Sequence, residues 1–297
     1  MGLLADFRSS LGEAFSAYKK KWLKIIAATI VTGIVMTILL LVIYTVLALV
    51  IPMPSKETLM PKPPSTVPVY KKGITISQLP IFLGFVVLFL IIGSIPIAFS
   101  IGMIRTLYLA LKGEDFGATT PLKYTISKYS DCIKATFIPI LMGVILSVLS
   151  LTAQALLTEG IVRVAAVLYL MIIIVSLILG AFSTYFLIHF ATKEEDIRSS
   201  ALASWNFIKN KPGYSIGAII LIGIITFVLY FIVSLISTFT AGAMTLGGIA
   251  AGGLMGGIIA GIIGIIIVII LSAFVVLVWG PVSQMTLIGI YEKGVSA

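Results

Sequence analysis

Residues 8–51 read RSSLGEAFSAYKKKWLKIIAATIVTGIVMTILLLVIYTVLALVI, a short basic phrase closing on Lys21 and then an apolar run broken only by Lys24. A bilayer core of about 30 Å takes roughly 20 consecutive apolar residues in a helix, so 22–51 is long enough to cross it. Five more runs meet that rule: 79–103, 135–157, 161–191, 214–240 and one ending near Tyr291. None shows the alternation over about 10 residues that the wall of a membrane barrel needs. They are helices, with their backbone polar groups satisfied internally. The fold class that follows is all-α, a polytopic integral membrane protein with six transmembrane helices in one membrane domain.

Composition agrees. The chain is 60% hydrophobic and 10% charged, with a mean hydropathy of +1.19, values that belong to a protein whose main solvent is lipid. The first run is too long for a signal-peptide core, and Asp6 breaks the myristoylation pattern, so an uncleaved, unlipidated N-terminus is expected. A lone cysteine, Cys132, forms no internal disulfide.

Charge gives an orientation. With the N-terminus inside, fifteen Lys and Arg flank the inner ends of the spans, among them Arg8, Lys19, Lys20, Lys21, Arg105 and Lys128, against five outside, Lys56, Lys62, Lys71, Lys72 and Arg163. The positive-inside rule then puts both termini in the cytoplasm of a multi-pass cell-membrane protein. A formal net charge of +9 is accordingly a topology signal whose natural partner is anionic headgroups, and nucleic acid is not an expected partner.

The basic phrase recurs. RSSALASWNFIKNK at 198–211 pairs Arg8 with Arg198, Ser9 with Ser199, Ser10 with Ser200, Lys19 with Lys209 and Lys21 with Lys211, and sets Phe15 opposite Trp205. Both phrases carry apolar positions at helical spacing. A third helix is expected where Thr120 serves as N-cap and Pro121 as first residue, with an apolar face of Leu122, Ile126, Tyr129 and Ile133. The even-numbered spans end alike, IAFS at 97–100, GAFS at 180–183 and GPVS at 280–283. These echoes give three repeats of one cytoplasmic amphipathic helix plus two spans, with units of approximately 1–116, 117–194 and 195–297. Outside, 52–78 is expected to be an extended Pro/Lys loop; 52–80 holds seven of the twelve prolines.

Basic amphipathic helices of this kind lie in the headgroup layer. Lys19, Lys20, Lys21, Trp22, Trp205, Lys209 and Lys211 are therefore the candidate membrane-interface or partner residues, either as elbows that set the next span or as a docking surface. In 241–264, Gly248, Gly252 and Gly256 form one four-residue series and Gly253, Gly257 and Gly261 another, a helix-packing stripe for a neighbouring span, a homo-oligomer seam or a re-entrant element. Where the last span begins within 242–291 stays open. Pro96, Pro139 and Pro281 should open the helical ladder, and broken helices point to a transport site. Ser94, Ser100, Gln154, Ser283 and Gln284 are the candidate polar path nearby.

Catalytic signals are missing. Once Lys24 is set with the flanking collar, ionisable groups at the spans reduce to Arg105, Arg163 and His189 near span ends, which weakens proton- or ion-coupled transport; His189 reads as an interfacial side chain. A single His excludes an HExxH helix, and no phosphate loop or nucleophile elbow is present. No enzyme activity, cofactor or metal is expected. Few Asn and Gln with Lys as the favoured charge point to a thermophilic source.

The helix RSSALASWNFIKNK entering a span directly, with the unit end GAFSTYFLIHFATKEED at 180–196, resembles the multi-span membrane domain associated with some glycerophosphoryl diester phosphodiesterases and related stand-alone proteins. The resemblance implies an architecture only. In that family the chemistry sits in a separate soluble barrel with metal-binding carboxylates and histidines, which nothing in this chain matches. The expected function is non-enzymatic: organising or assisting a lipid, a protein partner or a homo-oligomer at the bilayer. The alternative is a passive or lipid-type permease with a path between the repeats.

Overall fold

A computed structural model describes residues 2–50 and 79–296, without the side chains of 44, 46–50, 79–91 and most of 239–261. The outer Pro/Lys loop lies outside the described residues. Every element among them is helical: α1 (Leu3–Val50), α2 (Leu79–Leu111), α3 (Thr120–Ser127), α4 (Tyr129–Thr158), α5 (Val162–Lys193), α6 (Ile197–Asn210), α7 (Pro212–Phe274), a π-helical turn (Val275–Trp279) and α8 (Gly280–Ser296). Six stretches are long and apolar enough to cross a membrane.

α1 is two helices joined at a kink. Lys21 leaves the helical region at φ −126, ψ 19, so the basic phrase forms a separate arm ahead of the first span. α3 and α6 are short helices ahead of α4 and α7. Thr119, one residue before the expected Thr120, is the N-cap of α3, and the Thr120 hydroxyl accepts from the Gly117 amide at 2.9 Å instead. Asp196 caps α6 by accepting from the Arg198 and Ser199 amides at 3.2 and 3.4 Å.

Two helix ends show why their turns are tight. Gly160, at φ +77, lets Ile161 donate to Leu156 and Gly160 to Leu157 at the end of α4, and Gly113, at φ +79, permits the same pair of bonds at the end of α2. This is the left-handed Schellman ending that glycine favours.

α7 is assigned as helix throughout, yet it cannot be straight. The Trp279 indole donates to Thr226 Oγ1 at 2.8 Å across 53 residues, which a straight helix would hold about 80 Å apart. The chain therefore reverses between them. That reversal restores two spans where the continuous helix counts one.

Burial is concentrated at one end of the bundle. The largest fully buried side chains are Tyr185, Tyr291 and Phe186, followed by Ile25, Ile101 and Leu107, and most sit on the ends of α2, α5 and α8 that approach the short helices. Half of the apolar window of Ile92–Leu111 is buried, against 6–17% in the other spans, the largest share among the described residues. Ile34, Leu41, Val167, Leu170 and Ile265 are each more than half exposed. Such flanks would be a liability in water. Hydrocarbon tails solvate them as well as leucine would. Both termini lie at the same end, where Lys293 bonds Ser9 at 3.0 Å and Glu13 at 2.9 Å.

Candidate functional site at the helix-elbow end

Three lysines mark the joints between short helix and span. Lys21 (φ −126, ψ 19), Lys128 (φ −113, ψ 30) and Lys211 (φ −134, ψ 56) share a non-helical backbone that turns the chain. All three ammonium groups bond back to the chain. Lys21 donates to the Glu114 carbonyl, Lys128 to the Glu194 carboxylate, and Lys211 to the Gly294 carbonyl at 2.7 Å. Each ties its elbow to the chain at or just beyond the end of the next even-numbered span. Lys21 and Lys211, expected at the membrane interface, thus serve internal joints.

The remaining residues expected at the interface behave differently. Lys19, Lys20 and Lys209 are exposed and make no hydrogen bond or ion pair among the described residues. Beside them Phe15, Trp22 and Trp205 are each close to half exposed, at 46%, 48% and 47%. Inward, the first arm packs Ser10 and Ala14, and α6 packs Ser200 and Ser204. Gly289 makes room for the first arm, since a Cβ there would stand 3.2 Å from Ser10. The expected apolar face of Leu122, Ile126, Tyr129 and Ile133 is split: Ile126 and Tyr129 are 67% and 55% exposed, Ile133 packs against the core, and on α3 itself Pro121 and Thr125 are buried. In a bilayer the outward surface is the apolar one, so periodicity alone does not tell which face packs.

His189 departs most from expectation. Instead of reaching toward solvent, it is 6% exposed. Its Nδ1 lies 2.7 Å from the Tyr291 hydroxyl and its Nε2 3.2 Å from Glu195 Oε2. With the proton on Nε2 facing the carboxylate, Nδ1 accepts from Tyr291. Around this chain Tyr185 stacks on Tyr291 at 5.5 Å, and Phe207 meets both rings edge-on at 4.9 and 5.1 Å. The signal was spread over residues up to 102 positions apart, beyond the reach of local spacing.

Next to it, Arg105 caps the end of α5. It donates to the Thr192 carbonyl at 3.0 Å and pairs with Glu194 at 2.7 Å. Glu194 takes the left-handed conformation at φ 56 that glycine usually occupies. The hydrogen bond from Lys128, and after it the Arg105 charge, hold the Glu194 carboxyl below the ordinary glutamate range. A cleft of ≈ 680 Å³ opens here, lined by Lys128, Asp131, Lys134, Glu194, Glu195 and Arg198 among others. Burial pushes the Tyr124 hydroxyl at its wall up to about 12. Among the described residues no three His, Cys, Asp or Glu side chains converge as metal ligands.

The candidate polar path is not gathered in one place. Ser94 is buried, Ser100 and Ser283 bond carbonyls of their own helices at 2.7 and 2.8 Å, and Gln154 and Gln284 are exposed. Gln154 lies 25 residues beyond the start of α4 at Tyr129, about 37 Å along a helix, whereas Gln284 stands near the elbow end. Gly248, Gly252, Gly253, Gly256, Gly257 and Gly261 lie on the α7 backbone, but their surroundings fall outside the described residues.

Comparison with known proteins finds no matching family model, no matching curated protein and no matching solved structure. The resemblance to the phosphodiesterase-associated membrane domain therefore stands as a proposal.

Proposed function

We propose that this chain is a non-enzymatic membrane protein of three like units whose elbow end faces the cytoplasm and holds anionic lipid headgroups, so organising lipid or a partner complex beside it. The observation that carries the reading is the division among the lysines. Lys21, Lys128 and Lys211 are consumed by internal joints, while Lys19, Lys20 and Lys209 stand outward beside half-exposed aromatic rings. An aromatic ring next to an unpaired ammonium is the chemistry of the headgroup layer.

Burial supports the repeat. Positions 10, 14, 18, 25 and 28 are all buried, and so are 200, 204, 208, 215 and 218, each 190 residues on. In the second unit 121, 125, 132 and 135 are buried, each 107 residues beyond 14, 18, 25 and 28. Ser10 Oγ and Ser200 Oγ, at equivalent positions, are both buried without a partner. The phosphodiesterase-associated domain, as a resemblance in architecture, is consistent with a place beside phospholipid.

The test is lipid selection by the whole chain. Reconstituted in mixed zwitterionic and anionic bilayers and extracted as native lipid discs, the protein should enrich anionic lipid, and Lys19, Lys20 and Lys209 changed together to Gln should abolish the enrichment. Equal enrichment in the triple variant contradicts the proposal. A second reading, a lipid-type permease, draws on the π-helical break ahead of Pro281. It requires protein-dependent movement of labelled phospholipid between leaflets.

A further inference from the structure

The rim reading does not say where on the rim a lipid sits. Among the described residues, clefts open around the elbow end, and four of them differ in charge. The largest mixes Lys128, Lys134 and Arg198 with four carboxylates, most of them already engaged with one another. Another sets Lys24 against Asp115, with which it is paired. A third, of ≈ 300 Å³, contains Lys211, which is bonded to Gly294. The remaining groove, of ≈ 620 Å³, runs between the first arm and the last span and is lined by Phe15, Tyr18, Lys19, Trp22, Ile26 and Val278. Among the described residues no carboxylate lines it. Its one cation, Lys19, makes no bond to the protein among the described residues.

We infer that this groove is the seat of a single anionic phospholipid, its phosphate on the Lys19 ammonium, its glycerol region between the Phe15 and Trp22 rings, and an acyl chain running along Ile26 and Val278. The inference rests on the rim reading and locates it. Charge complementarity selects the occupant. An unpaired ammonium at the mouth of a groove without acids attracts a phosphate, and the half-exposed rings of Phe15 and Trp22 suit the boundary between headgroup and hydrocarbon. Depth matches as well. Ile26 lies five residues past the Lys21 kink, about 7.5 Å along the first span, where an acyl chain begins. Glu13, the acid nearest Lys19 on the same arm, is engaged by Lys293 at 2.9 Å and is not a competitor for Lys19.

The groove also adjoins the break in the last span. Tyr18 lines it and donates to the Leu277 carbonyl, and Val278 is the next residue. A lipid seated here touches both sides of that joint.

Trp22 provides the readout. In a Trp205→Phe variant the other indole, Trp279, is 8% exposed and bonded to Thr226, so quenching from the lipid phase reports chiefly on Trp22. The full chain is placed in zwitterionic bilayers containing a minor fraction of acyl-brominated lipid, either phosphatidylglycerol or phosphatidylcholine. Brominated phosphatidylglycerol should quench Trp22 at about fivefold lower mole fraction than brominated phosphatidylcholine, the preference one lysine contributes near a membrane surface. Lys19→Gln should remove the difference, Lys19→Arg should keep it, Lys209→Gln should leave it unchanged, and millimolar inorganic phosphate should not displace the lipid.

Equal quenching by the two lipids overturns the groove, as does a Lys209→Gln effect equal to that of Lys19→Gln. Displacement by inorganic phosphate overturns the assignment to lipid. If the whole chain still enriches anionic lipid while Trp22 shows no preference, the groove fails and the rim reading survives. If enrichment is absent as well, both fail.

Discussion

The Tyr18 hydroxyl donates to the Leu277 carbonyl at 3.1 Å, across 259 residues of chain. Leu277 lies four positions before Pro281, whose ring nitrogen has no hydrogen to give back to it. The first arm therefore supplies Leu277 with a donor that Pro281 cannot give, and Trp279, two residues on, bonds Thr226. Non-regular backbone at membrane depth survives only where protein satisfies it.

Tyr18→Phe should cost about 1 kcal/mol, the usual scale of such a bond, read from unfolding in mixed micelles. In a Pro281→Ala background, where an amide is restored, the same change should cost much less. An equal cost in both backgrounds would mean that Tyr18 acts through packing alone.

Tyr291→Phe should destabilise the chain by about 1–3 kcal/mol, because it leaves buried His189 Nδ1 without a donor. Adding His189→Leu removes the stranded acceptor, so the double variant should lose less than the two single losses added together. The partner left over, Glu195, is exposed enough for water to take it. Additive losses would show that the Tyr291–His189 bond contributes nothing.

Glu194 predicts a pH dependence. Its carboxyl is held below its unfolded value, mainly by Lys128 and then by Arg105. That contribution is present above the ordinary glutamate pKa of about 4.3 and disappears as the pH falls through the lowered folded value. Glu194→Gln should thus be less stable than wild type at pH 7, by roughly 0.2–1 kcal/mol for a partly exposed pair, and the gap should close in acid. Glu194→Gly should be more stable than Glu194→Gln by about 1 kcal/mol, since φ 56 favours glycine. A gap that widens on acidification contradicts the assignment.

Gly102→Ala should be among the most damaging single-methyl changes in the chain. A Cβ at Gly102 would overlap the Pro121 carbonyl oxygen and Thr125 Oγ1, both on α3 and neither at the end of a flexible side chain. A cost of about 1–3 kcal/mol is expected. Gly143→Ala, where a Cβ meets nothing within 4 Å, is the matched control and should be neutral or slightly stabilising in its helix.

The spans were legible because hydrocarbon imposes length and continuity directly on the sequence: 135–157 lies within α4, 161–191 lies within α5 but for Ile161, its N-cap, and the basic phrase ends at the Lys21 kink. The packed faces were not. On α3 Ile126 faces out and Thr125 faces in, because the bundle interior is no more apolar than the surrounding lipid. His189 was misread for another reason. A histidine at a span end ordinarily reaches for water, and only the return of α8 brings Tyr291 to it. The lysine phrases told of a rim but gave no sign that Lys21 and Lys211 bond inward while Lys19 and Lys209 remain outward.

We propose six crossings with all three elbows on one side, facing the cytoplasm. In a Cys132→Ala background, single cysteines at Lys20, Lys123, Lys209 and Ser65 can be tested in intact cells with a membrane-impermeant thiol reagent. The account predicts labelling at Ser65→Cys alone, with the three elbow positions reacting only after the membrane is permeabilised. Labelling of any elbow cysteine from outside intact cells would contradict it.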